Sequence, residues 1–179
     1  MAKKKLEQGP KPVVLVIDDE VEVRDDLKDF LEGKYSFSVE CEDPKNLDEI
    51  ERRLSHGVDV VVLDLNWEDR VYGDNKGDTK GLGYLNSTLR EHYPWIPVIV
   101  YTQYLIPWRI RQVYEKTACS YVYKGEHNSM KALGEEIKKA LKWSRDIGIG
   151  GAVLIGEKLK KSIMSTVNKV ADTDVSVLI

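Results

Sequence analysis

Cysteine is scarce. Cys41 and Cys119 are the only two and lie far apart in the chain, so a disulfide framework is not expected; intracellular thiols stay reduced. Three histidines, His56, His92 and His127, show no ligand spacing with one another or with cysteine, which leaves no zinc motif. No apolar run approaches the roughly 20 residues that span a bilayer. The opening MAKKKLEQGPKP is basic but is not followed by an apolar stretch, so it is read as a solvated leader and not as a secretory signal. Excess charge of one sign is missing as well. Net charge is −3, so the overall balance points neither to nucleic acid nor to an anionic membrane. These absences describe a cytoplasmic protein without membrane partners. Hydrophobic content of 42% over 179 residues suffices for one ordinary domain with an appendage.

What is present is an alternation of strand and helix. PVVLVID (12–18) and VDVVVLDL (58–65) are β-branched runs of the kind buried on both faces of a parallel sheet. FSVEC (37–41), IPVIVYT (96–102) and CSYVYK (119–124) supply three more strands. Helices are expected over 20–32, ending at Gly33, and from Asp43-Pro44 through Leu54, with Leu47, Ile50 and Leu54 inward. Three further helices are expected over 81–92, 107–117 and 128–144. NWEDRVYGDNKGDTK (66–80) is polar and rich in Gly, Asp and Asn, and reads as a long surface loop. No internal repeat is found. The pattern predicts an α/β protein in which a five-stranded parallel sheet is flanked by five helices and joined by right-handed crossovers.

In such sheets the working site lies at the carboxyl ends of the strands. Asp18 and Asp19 end the first strand, Asp64 the third, Thr102 the fourth and Lys124 the fifth. Carboxylates brought together there raise one another's pKa or demand a cation. A hard divalent ion such as Mg²⁺ suits oxygen ligands. Asp19 and Asp64 are the expected direct ligands, Asp18 binding directly or through water, and the backbone carbonyl of Asn66 adding an uncharged oxygen. Asp64 stands alone in an apolar strand as a candidate nucleophile toward phosphorus. Lys124 would hold a second phosphoryl oxygen, and Thr102 a third with help from the amide of Gln103. Each residue alone has a plainer reading. The acids cap the following helix, Asp64 bonds a nearby amide, Thr102 follows β-propensity, and Lys124 is a solvated strand end. Their arrival in order at one sheet edge favours the joint reading.

VVLVIDDE, VVVLDL, IPVIVYT and YVYKG together resemble the receiver (CheY-like) domain of response regulators, over about residues 13–145. The resemblance implies a flavodoxin-like fold and a phosphoacceptor at Asp64. It implies a sensor histidine kinase or phosphotransfer protein as donor, and no enzymatic activity beyond self-catalysed phosphoryl transfer and autodephosphorylation. It also implies a switch in which Thr102 moves toward the phosphoryl group and Tyr121 swings inward. Three departures stand out. Gly125 follows the lysine where the family usually has a cis-prolyl bond. The loop after Asp64 is longer than usual and carries Trp67, Glu68, Arg70 and Tyr72. Gln103 occupies a position where a small residue is common.

Residues 146–179 read as a linker and a further helix. IGEKLKKSIMSTVNKVADTDVSVLI resembles the opening of the AAA+ ATPase domain of NtrC-like, sigma-54-dependent activators, truncated before its phosphate-binding loop. GAVLIGEK (151–158) is not that loop, because no Ser or Thr follows the lysine. The expected division is a leader (1–12), a receiver domain (13–145) and a linker with a truncated ATPase start (146–179). DNA and sigma-54 RNA polymerase would be reached through C-terminal domains absent from this chain, with a homodimer through the last receiver helix and linker. Two alternatives remain open: a stand-alone phosphorelay receiver without DNA output, and a metal-dependent aspartyl phosphohydrolase. Against the second, such enzymes usually carry an Asp two residues after the nucleophile, where this chain has Asn66.

Overall fold

In this computed structural model the described residues are 10–67, 80–103 and 120–146. The predicted helix at 107–117, Cys119, Glu68, Arg70, Tyr72 and the segment 147–179 lie outside them. Five strands, β1 (Val13–Ile17), β2 (Ser38–Glu42), β3 (Val60–Leu63), β4 (Val98–Thr102) and β5 (Ser120–Tyr123), form one sheet in the order β2-β1-β3-β4-β5. Every pairing is parallel. The two apolar runs recognised as buried strands, β1 and β3, lie side by side at the centre, in register from Val14↔Val60 to Ile17↔Leu63.

Helices cover both faces. Helix α1 spans Val21–Tyr35 and α2 spans Leu47–Gly57. Helix α3 is composite: an α-helical turn, Lys80–Tyr84, widens into a π-helical segment, Leu85–Leu89, and closes with Arg90–His92. Helix α4 spans Ser129–Asp146. Side chains alternate across the strands and divide the core in two. Leu15, Ile17, Val61, Leu63 and Val100 meet Ile50 and Leu54 of α2 and Leu85 and Leu89 of α3. Val14, Val16, Val62, Ile99 and Tyr101 meet Leu27 and Leu31 of α1 and Leu133 and Ile137 of α4. Each fully buried Leu or Ile contributes about 1.5–3 kcal/mol, so the two layers supply the main drive to fold. The outer strand β2 is guarded by charge: Arg53 of α2 bonds Glu42 at 2.6 Å and Glu40 at 2.7 Å.

Two local expectations need correction. Gly33 does not stop α1. The helix continues to Tyr35, and Ser36 takes the left-handed conformation (φ 59°) that ends it. Gly33 has open space around it, so nothing there forces a break. Leu47 is not inward; it is 45% exposed. Asp43 and Pro44 form a turn closed by the Asn46 amide on the Asp43 carbonyl (2.9 Å), so α2 starts at Leu47 itself, ahead of the buried Ile50–Leu54 stripe. No described helix is long and apolar enough to cross a membrane.

Candidate functional site

Because all five strands run the same way, their carboxyl ends share one rim. Asp18 and Asp19 follow β1, Asp64 follows β3, Thr102 ends β4 and Lys124 follows β5. The ladder extends slightly past the strands: the Asp64 amide donates to the Ile17 carbonyl and the Lys124 amide to the Thr102 carbonyl, each at 2.9 Å. These bonds fix the backbone of Asp64 and of Lys124 relative to their neighbours.

The side chains converge. Asp18, Asp19 and Asp64 each place a carboxylate oxygen within 4.8 Å of the others. Lys124 Nζ lies 2.7 Å from Asp18 Oδ2 and 3.7 Å from Asp64 Oδ1. Asp18, Asp64 and Thr102 are buried and Asp19 is partly so. Asp18 is held from two sides, its Oδ1 accepting from the Glu20 amide at 3.0 Å and its carbonyl from Arg24 at 2.6 Å. Asp64 Oδ2 accepts from the Asn66 amide at 3.2 Å.

Burial pushes the Asp64 carboxyl up to about 6. Lys124 works against the rise, Asp18 adds to it, and hydrogen bonds from the Thr102 hydroxyl and the Asn66 amide lower it. Burial by itself would lower the Lys124 ammonium, but Asp64 and Asp18 outweigh it and hold the group above its ordinary value. The ammonium is therefore charged at neutral pH.

The donor set fits a hard divalent ion. One lysine does not balance three acids, and Asp64 Oδ1 is buried yet accepts no hydrogen bond. A cation among these oxygens would satisfy that atom and relieve the repulsion.

Tyr121 lies on the same sheet face as Val100 and packs half-buried against the α2/α3 core. Gln103 is exposed beyond the end of β4. Trp67 packs on Tyr84 of α3 at 5.3 Å between ring centroids. A cleft of about 480 Å³ opens beside Asp19, with Leu47, Trp67 and Tyr84 among its walls. Gly125 sits under the ring of Tyr123, and no described peptide bond is cis.

Sequence reading missed Arg24, Gly81 and Tyr101. Arg24 supports Asp18 from one turn into α1. A Cβ on Gly81 would strike the Asp64 carbonyl and lie 2.7 Å from Leu65 Cα, so α3 begins directly against the Asp64 backbone. Tyr101 places its ring 5.7 Å from Lys124 Nζ. Its position just before Thr102 was the available signal, but a tyrosine within a buried strand reads first as core.

No family model matches the chain, and no curated protein matches it. Solved structures do. A response regulator from Thermotoga maritima aligns with 74% of this chain and 99% of its own, at 25% identity and a TM-score of 0.58. A CheY-like receiver domain protein from Methanospirillum hungatei JF-1 aligns with 74% of this chain and 95% of its own, at 19% identity and a TM-score of 0.59. The beryllofluoride-activated NtrC4 receiver domain, solved as a dimer, aligns with 73% and 96%, at 25% identity and a TM-score of 0.58. The fold is the flavodoxin-like fold of receiver domains. The described rim brings together the side chains of Asp18, Asp19, Asp64, Thr102 and Lys124.

Proposed function

We propose that this chain is a phosphoacceptor receiver module of a two-component system, taking a phosphoryl group from a phosphohistidine onto Asp64. A single observation carries the reading: on a receiver fold, Asp64 is buried at the rim with Asp18, Asp19, Thr102 and Lys124 gathered around it. In the step, one Asp64 carboxylate oxygen forms a bond to phosphorus as the phosphorus–nitrogen bond of the donor breaks. The electron pair stays on the imidazole, and an acyl phosphate results. Lys124, charged and already 3.7 Å from Asp64 Oδ1, is placed to hold a phosphoryl oxygen, and the Thr102 hydroxyl to donate to another. Asp18, Asp19, Asp64 and the Asn66 carbonyl would hold Mg²⁺. When bound, the ion supplies positive charge against the developing negative charge.

The finer reading follows the segment 146–179. Its likeness to the start of an NtrC-like ATPase domain supports a transcription-activating output reached through further domains, with a histidine kinase or phosphotransfer protein upstream. Thr102 and Tyr121 would carry the switch: a dianionic phosphoryl group draws Thr102 inward and the half-buried Tyr121 follows. A homodimer fits this output.

The test is incubation with Mg²⁺ and acetyl phosphate, read by intact mass. The wild type is expected to gain one phosphoryl group, and Asp64→Asn none. Equal labelling of the two proteins would reject Asp64 as the acceptor. Tyr121→Trp fluorescence under beryllofluoride reports the switch, and an unchanged spectrum would remove Tyr121 from it.

A further inference from the structure

The geometry points to Tyr101 as a positioning residue for Lys124: its ring braces the ammonium that the phosphoryl group must meet. The inference rests on the phosphoacceptor reading above.

Lysine is a flexible point charge on a four-carbon stem, and it needs fixed surroundings to act at a defined place. Three groups define that place here. Asp18 Oδ2 is 2.7 Å from Nζ, Asp64 Oδ1 is 3.7 Å away, and the Tyr101 ring centroid is 5.7 Å away. The lysine side chain is 6% exposed, so the attraction between cation and ring face acts with little water to screen it.

Tyr101 is itself fixed at both ends. Its backbone lies in β4 opposite Val122, two residues before Lys124. Its hydroxyl shares a buried hydrogen bond of 3.1 Å with Ser129 Oγ, at the first residue of α4. One side chain thus spans the turn between β5 and α4, touching Lys124 at its start and Ser129 at its end. That turn contains Gly125, which supplies no ring to stiffen the backbone; its internal bonds are Glu126 amide to Tyr123 carbonyl (3.4 Å) and Ser129 amide to Glu126 carbonyl (3.0 Å). Tyr101 provides a brace from the neighbouring strand. When the acceptor carries a phosphoryl group, Lys124 must shift its contacts among the acids. The ring face limits where the ammonium can go, because it offers attraction without a competing negative charge.

A double-mutant cycle tests this. Labelling by acetyl phosphate with saturating Mg²⁺ is followed by intact mass in wild type, Tyr101→Leu, Lys124→Met and the double variant. Tyr101→Leu is expected to slow labelling about threefold to thirtyfold, the range of a desolvated cation–ring contact. In the Lys124→Met background the same change is expected to have no further effect. Tyr101→Phe keeps the ring and is expected to recover the rate to within about twofold. Should Tyr101→Leu fail to fold, Tyr101→Met, similar in volume but unbranched and better able to adapt to the vacated space, takes its place in the cycle. Equal losses in both backgrounds would make Tyr101 a packing residue and overturn the proposal, as would a wild-type rate in Tyr101→Leu. Failure of the phosphoacceptor reading looks different: the wild type itself would not be labelled.

Discussion

Asp64 shows how one residue's surroundings oppose stability while preparing chemistry. Its carboxyl titrates at about 6 when folded, against an ordinary value of 3.8. Between those two values the folded state binds the proton more tightly than the unfolded chain does. Stability of the metal-free protein therefore falls as pH rises through this window, by about 3 kcal/mol across a shift of roughly two units. Asp64→Asn carries no such charge. In EDTA at pH 7.5 it is expected to be more stable than wild type by about 1–3 kcal/mol, and the gap should close as pH falls toward 4. Urea titrations at several pH values measure this. Equal stability at pH 7.5 would mean that water or neighbouring groups solvate the carboxylate well enough to remove the burial cost. The residues in this cluster were legible in the sequence because each ends a strand, where an acid, a hydroxyl or an ammonium interrupts an apolar run. Tyr101 was not, since nothing in an apolar-aromatic strand reveals which ring will lie beneath a cation.

At the scale of the element, two glycines of α3 give opposite expectations. Glycine inside a helix is normally about 1 kcal/mol worse than alanine. Gly83 is exposed with no atom near its absent Cβ, so Gly83→Ala is expected to stabilise by about 0.5–1 kcal/mol. Gly81 instead meets backbone atoms of Asp64 and Leu65, which cannot rotate away. Gly81→Ala is expected to cost about 1–3 kcal/mol. It should also slow phosphoryl labelling if Asp64 takes the phosphoryl group as proposed, because the strain falls on the Asp64 backbone. Urea midpoints and labelling rates of the pair decide the matter, and similar stabilisation by both would refute the close approach. The sequence showed that α3 exists but not this contact, which depends on how the helix docks. Element ends were legible only roughly for the same kind of reason. The buried strands announced themselves as unbroken β-branched runs. The end of α1 did not, because Gly33 sits in open space and Ser36 takes the left-handed turn. Leu47 looked like core by its spacing to Ile50, yet the turn built on Asp43 leaves it at the lip of the cleft.

At the scale of the whole molecule, the parallel sheet is what turns scattered residues into a site. Asp18 and Asp64 are 46 positions apart in the chain, and Lys124 lies 106 positions from Asp18. Only the folded sheet brings their side chains to one rim, so a divalent ion that needs several of them binds the folded state and not the unfolded chain. Linkage then converts binding into stability, by about 2.7 kcal/mol at a Mg²⁺ concentration one hundred times its dissociation constant. The thermal midpoint is thus expected to rise with the logarithm of Mg²⁺ concentration at constant ionic strength. Ca²⁺ should act in the same direction, since it too takes carboxylate oxygens. Asp19→Asn should weaken the response, and Asp64→Asn should weaken it further, because Asp64 is the more deeply buried acid and carries the oxygen that accepts no hydrogen bond, and an amide offers a cation no charge there. Scanning calorimetry of the three proteins with and without Mg²⁺ measures these responses. A midpoint that rises equally in all three would assign the effect to Mg²⁺ bound elsewhere on the chain and would remove the metal from this rim.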